Sequence, residues 1–234
     1  MPIEKIDTLV IGGGQAGLAM SAHLTKQHLP HLVIERHRIA ERWRSERWDP
    51  LVANGPAWHD RFPDLAFDDL SPDTFPHRNR IVDYFETFAK QIAAPLRLGV
   101  DVTSLTRKAD GAGFRAETSH GTIDAKTVVA ATGPFQRPLI PAIVPPSSDL
   151  LQIHSSAYRN PDQLPEGAVL VVGAGSSGAQ IADELLRAGR SVYLSVGPHD
   201  RPPSGIAAAI FAGGWVSLAC GMPRPARRAW TMSP

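Results

Sequence analysis

A glycine motif occurs twice in this chain, as Gly12-Gly13-Gly14-Gln15-Ala16-Gly17 and as Gly173-Ala174-Gly175-Ser176-Ser177-Gly178. Each copy follows an apolar, β-branched run, at residues 6–11 and 169–172. Each opens a helical pattern, at 15–28 and 176–188. Strand, glycine turn and helix in that order begin a βαβ unit, so the chain is expected to build parallel sheet. The glycines have separate tasks. Gly12 and Gly173 allow the tight turn off the strand. Gly14 and Gly175 remove a side chain where backbone must approach a pyrophosphate. Gly17 and Gly178 let the helix pack closely on the strand. The free N–H groups of each helix start then face the anion, aided by the helix dipole. One such match alone is also read as an ordinary glycine-rich turn. Two in this context imply two dinucleotides, with electrons passed from one to the other.

The surroundings of the two copies differ. After the first, the strand at 31–34 ends in Glu35. An acid about 20 residues beyond the glycines accepts ribose hydroxyls. After the second, the same offset falls on Val196, with Ser195, His199 and Arg201 nearby. A missing carboxylate removes repulsion against a 2′-phosphate, and an arginine pairs with that phosphate. Arg201 is either that partner or an ordinary surface charge. The first site is therefore expected to take FAD or NAD, and the second NADP(H).

The rest of the composition narrows the class. The 234 residues are 43% apolar and 20% charged with a formal net charge of +1, a soluble globular composition. So little net charge gives no reason to expect nucleic acid or an anionic membrane as partner. The single cysteine, Cys220, allows no internal disulfide and no CxxC redox pair. Residues 1–12 run straight into the first strand, so no secretory leader is expected and a cytoplasmic location is. The longest apolar run, 206–221, is shorter than a membrane span and broken by glycines.

Between the two motifs, residues 38–80 form a long loop-like stretch rich in Pro, Asp, Trp and Phe. Loops of that length are functional or disordered, and the aromatic content argues against disorder. Residues 80–92 read as a helix, with Ile81, Tyr84, Phe85, Phe88 and Ile92 spaced for core packing. An antiparallel excursion is expected from strands at 100–107, 113–118 and 122–123, turning at Asp110-Gly111. A separate buried strand is expected at 126–131, ending in Ala131-Thr132-Gly133 before the breaker Pro134. The Pro-rich connection 137–165 marks the domain boundary. The expected architecture is α/β, with two Rossmann-like units: an FAD-binding part at 1–160 and the start of an NADP-binding domain at 161–204.

These motifs, in this order, resemble the class B flavin-dependent monooxygenases, which include the flavin-containing and Baeyer–Villiger-like enzymes. The matching residues are the fingerprint at 12–17, Glu35, Arg42-Trp43-Arg44, Asn54-Gly55-Pro56, Ala131-Thr132-Gly133 and the fingerprint at 173–178. The resemblance extends over roughly residues 5–204. The family's FxGxxxHxxxW motif keeps its last two positions as His154 and Tyr158, while Ser148 and Leu150 replace its Phe and Gly. That pattern is closer to divergent bacterial flavin-containing members than to typical Baeyer–Villiger enzymes.

The resemblance implies that NADPH reduces FAD, and that a flavin peroxide then transfers one oxygen atom of O2 to a small organic substrate. The cofactor carries the hard chemistry, so no nucleophilic triad and no metal are expected. The resemblance places Trp43 and Arg44 along the FAD, Asn54 near the flavin ring as a donor, and His154 at the hinge between the nucleotide domains. Arg36 and Val102 complete its cofactor-contacting set. The residues themselves also allow plainer roles. Trp43 fits a core aromatic, Asn54 a turn, and His59 a capped loop histidine. Thr132 and Gly133 fit a close backbone approach to the cofactor. Two other readings remain open: a different two-dinucleotide reductase, and a non-catalytic nucleotide-binding module.

The resemblance ends near Ser204. Residues 205–234 are expected to be an atypical tail, read in a shifted frame from near residue 204, which leaves the second unit incomplete. Such a chain is expected to retain FAD weakly and to turn over little.

Overall fold

The computed structural model describes residues 3–142 and 150–197. The tail, Ser148, His199, Arg201 and Cys220 lie outside them. The chain divides after Arg159 into two compact units.

The first unit opens with β1 (Glu4–Ile11), α1 (Gln15–Lys26) and β2 (His31–Glu35). A short helix, α2 (Glu41–Ser45), and a long one, α3 (Arg78–Gln91), follow. Then come β3 (Leu96–Leu98), β4 (Val102–Arg107), β5 (Phe114–Thr118) and β6 (Gly121–Ala130). They form one six-stranded sheet in the order β3-β2-β1-β6-β5-β4. The pairings among β3, β2, β1 and β6 are parallel, and β5 and β4 continue antiparallel. In chain order the parallel strands stand 3-2-1-4, one flank of a doubly wound nucleotide fold. Strand β1 is central, and Leu9 and Val10 on its opposite faces are both fully buried, as a covered parallel strand requires.

Two apolar clusters hold this sheet. One joins Leu18 of α1 to Ile81, Phe85 and Phe88 of α3 and to Phe62 and Phe67 of the long loop. Phe62 stacks on Phe88 at 4.0 Å, and Phe67 on Tyr84 at 3.9 Å. Tyr84 Oη accepts from Phe62 N–H at 2.8 Å and donates to Leu65 O at 2.6 Å. The loop is thus ordered by its own aromatics against α3. The second cluster gathers Leu9, Ile34, Val100, Ala116, Ile123 and Ala125.

Two expectations need correction. The strands at 122–123 and 126–131 are one strand, β6, because a single extended run pairs with both β1 and β5. Its second half is not buried. Pairing with β5 stops at Ala125, while pairing with β1 runs on to Ala130, and Lys126, Thr127 and Ala130 are exposed. Sequence reasoning also missed β3 and α2, which at three and five residues are too short to show periodicity.

In the second unit, a 3-10 turn (Pro161–Gln163) precedes β7 (Val169–Val172), α4 (Ser176–Arg187) and β8 (Val192–Ser195). β7 and β8 pair in parallel, and Ile181, Ala182 and Leu185 form the buried face of α4. Leu170, Val172 and Tyr193 are exposed. Among the described residues, no helix is long and apolar enough to cross a membrane.

Candidate functional site

The first glycine loop lies where strand order reverses, between the carboxyl ends of β1 and β6, the usual crevice for ligands in open α/β sheets. Ile11 pairs with Ala130, so Gly12 and Ala131 emerge side by side. Gly12 takes φ +109°, and a Cβ there would strike the Ala131 carbonyl. A Cβ on Gly17 would strike the Gly12 carbonyl, because α1 crosses directly over the turn. Gly14 differs: a Cβ there would meet nothing within 4 Å. Its openness is what a ligand approaching the backbone needs. α1 has no side-chain cap, with Gly14 at its N-cap position, and no acid in its first turn. Gln15 and Ala16 therefore start a helix whose positive end carries no acidic side chain.

Glu35 ends β2 beside this loop. Its Oε2 accepts the Gly13 N–H at 2.8 Å and its Oε1 accepts the His37 N–H at 2.9 Å. A carboxylate with spare acceptor capacity thus borders the glycines, as a ribose partner must. Val100 N–H donates to Glu35 O at 3.1 Å, which brings the start of β4 alongside. Val102 packs its side chain on the second apolar cluster, and Arg36 is exposed. Thr132 and Gly133 follow β6, Gly133 at φ +74°, and Gln136 donates to the Thr132 carbonyl.

Trp43 packs half-buried on the first apolar cluster, with the Arg47 guanidinium 5.8 Å from its ring centroid. Burial pushes that guanidinium below its ordinary pKa, opposed by Glu46 and assisted by Arg42. Arg44 pairs with Glu86 of α3. Asn54 is exposed on a turn whose Gly55 and Pro56 are buried. A Cβ on Gly55 would run into the Asp60 carboxylate, which also contacts His59 Nδ1 at 2.8 Å. His154 Nδ1 accepts the Ser156 N–H at 3.2 Å, so this half-buried imidazole closes a local turn.

The second unit repeats the backbone hydrogen bond that closes the first turn. Gly12 N–H donates to Ile34 O at 2.8 Å, and Gly173 N–H donates to Ser195 O at 3.0 Å. Gly173 takes φ +101°, and a Cβ on Gly178 would strike the Gly173 carbonyl. Gly175 is open like Gly14, with nothing within 4 Å. Ser176 and Ser177 begin α4, whose first turn carries no acid. The register makes Ser195 the counterpart of Ile34, and so Val196 the counterpart of Glu35. Val196 is exposed, with no carboxylate in its place.

Comparison with known proteins agrees with this geometry. A family model described as pyridine nucleotide-disulphide oxidoreductase matches residues 9–204. An uncharacterized CzcO-like oxidoreductase of Geobacillus kaustophilus is 44% identical over 82% of this chain and 54% of its own length. The probable indole-3-pyruvate monooxygenase YUCCA1 of Arabidopsis thaliana is 30% identical over 91% of this chain and 52% of its own. Among solved structures, a flavin-containing monooxygenase from Stenotrophomonas maltophilia shares the fold. Its TM-score is 0.75 and its identity 23%, covering 85% of this chain and 60% of that one. The chain spans about half the length of the curated relatives it matches.

Proposed function

The chain belongs to the pyridine nucleotide-disulphide oxidoreductase family and, within it, to the class B flavin-dependent monooxygenases, and on that premise we propose that its first unit binds FAD and its second NADPH. The observation that carries the assignment is the contrast between Glu35 and Val196 at equivalent places beside two turns closed by the same backbone hydrogen bond. A carboxylate beside the first turn favours an unphosphorylated ribose. Its absence beside the second leaves room for a 2′-phosphate. FAD and NADPH are the cofactors of this family.

Gly14, open to at least 4 Å, fits a pyrophosphate approaching the backbone at the α1 N-terminus. Glu35 would hold the ribose, exchanging or sharing its contacts to Gly13 and His37. Thr132 and Gly133, on the far side of the switch point, would bound the same cofactor. Trp43, Arg44 and Asn54 would lie along it, and Arg36 and Val102 at its edge. His154 would sit where the chain leaves for the second unit. Gly173, Gly175, Ser176, Ser177 and Gly178 would hold the NADPH pyrophosphate, and Arg201 its 2′-phosphate. The bound flavin supplies the redox chemistry, by which NADPH and O2 deliver one oxygen atom to a small organic substrate. The protein's own contribution is to bind, orient and keep water away. The domain division proposed is an FAD part at 1–160 and an NADP part beginning at 161.

Fluorescence titration with FAD tests the reading. Glu35→Gln keeps the shape and one oxygen but weakens acceptance from ribose hydroxyls, and is expected to lower FAD affinity about tenfold. Equal affinity of the variant and the parent would overturn the assignment of Glu35.

A further inference from the structure

Helix α2 carries Trp43 and Arg44 but has little of its own to hold it. It spans five residues, its N-cap position is Ala40 at φ +57°, and no side chain caps that end. Isolated helices of this length do not persist in water. The other end is held from outside. Arg78 Nη1 donates to Arg44 O at 3.0 Å and to Arg47 O at 3.4 Å, and its Nη2 donates to Asp49 Oδ1 at 2.9 Å. Arg159 Nη2 donates to Ser45 O, and Arg159 O accepts the Asp49 N–H at 2.7 Å. Two guanidiniums thus cover the last carbonyls of α2, where positive charge complements the helix dipole.

The position of Arg78 shows that this contact dominates its placement. It is the first residue of α3, an end where the dipole disfavours a cation, and that turn contains no acid. Its Nε is buried without a partner, because the guanidinium fork is aimed at the α2 carbonyls and Asp49. Arg159 fixes its own orientation by donating to Ser156 O and Tyr158 O, both at 2.8 Å. It is also the last residue of the first unit.

We infer that Arg78 and Arg159 are positioning residues for the first cofactor, acting through α2: they clamp the 44–49 backbone and so keep Trp43 and Arg44 aligned with it. The inference rests on the FAD assignment above. It also ties the α2 segment to the point where the chain leaves the first unit.

The test uses the full chain with Arg78→Met, Arg159→Met and the conservative Arg159→Lys. FAD affinity is measured by fluorescence, and backbone hydrogen exchange is followed without cofactor. Each Met variant is expected to lower FAD affinity about tenfold. Each should also accelerate exchange at residues 42–49 while leaving β1 and α1 protected as in the parent. Arg159→Lys should recover part of both effects, since a single ammonium can still reach the Ser45 carbonyl. Two results would overturn the clamp. One is an FAD affinity unchanged in both Met variants. The other is faster exchange spread equally over β1 and α1, which marks a general loss of stability. A parent chain that binds no FAD contradicts the functional reading instead, and the exchange pattern then still decides whether the clamp exists.

Discussion

At the scale of single residues, the glycines of the first turn separate folding from binding. Gly17 is enforced by packing, since any Cβ strikes the Gly12 carbonyl. Gly14 is not: its φ of −82° suits any residue and its surroundings are open. Gly14→Ala is therefore expected to melt within about 1 kcal/mol of the parent, the usual range for a surface or cap change. Its FAD affinity should nevertheless fall, because the methyl group occupies the approach to the backbone. Gly17→Ala should destabilise the unit itself by about 2 kcal/mol or more through the backbone clash. Thermal melts beside FAD titrations distinguish the two. Equal melting temperatures for both variants would contradict this division of roles. The motif spacing marks the Gly17 constraint because the Gly12 carbonyl lies within the same turn, whereas the Ala131 carbonyl that excludes a Cβ at Gly12 lies far along the chain. The place of Glu35 at the end of β2 was legible, because the apolar strand pattern stops there. That its oxygens meet the Gly13 and His37 N–H groups was not, since an acid's offset does not specify its partners.

At the scale of elements, long periodic segments were readable and short or shared ones were not. α3 shows its buried face in sequence, and Ile81, Tyr84, Phe85 and Phe88 are buried as that spacing demands. α2 is held by arginines far along the chain, so nothing local announces it. β6 was divided in two because its halves have different neighbours, a tertiary property invisible to local patterning. Its first half is pinned to β5 by an ion pair: Arg115 donates to Asp124 at 2.8 and 3.0 Å, with Lys108 at 3.7 Å. The Arg115 hydrogen bonds hold the Asp124 carboxyl below its ordinary value. A lowered folded-state pKa stabilises fully above the unfolded value and is lost as pH falls through the folded one. The stability gap between the parent and Asp124→Asn is therefore expected to narrow as pH drops below the usual carboxylate range. Urea unfolding at several acidic pH values measures it, and a gap independent of pH would contradict the linkage.

At the scale of the whole molecule, two similar turns are assigned different dinucleotides by one side chain each. The parallel units were legible from the paired glycine motifs. Both turns make the same backbone bond, from Gly12 to Ile34 and from Gly173 to Ser195, which places Glu35 and Val196 at equivalent positions. Placing an acid at the second turn should reverse its preference. Val196→Glu is expected to weaken NADPH binding by about tenfold or more through repulsion of the 2′-phosphate, with NADH affected less. Calorimetric titration with both nucleotides checks that outcome. FAD in the first unit and NADPH in the second is the assignment proposed. Its most direct test reconstitutes the chain with excess FAD, removes the unbound fraction and follows the visible flavin absorption without oxygen as NADPH or NADH is added. The expected result is a retained flavin band that NADPH bleaches at far lower concentration than NADH. A protein that retains no flavin, or one that responds equally to both nucleotides, would contradict it.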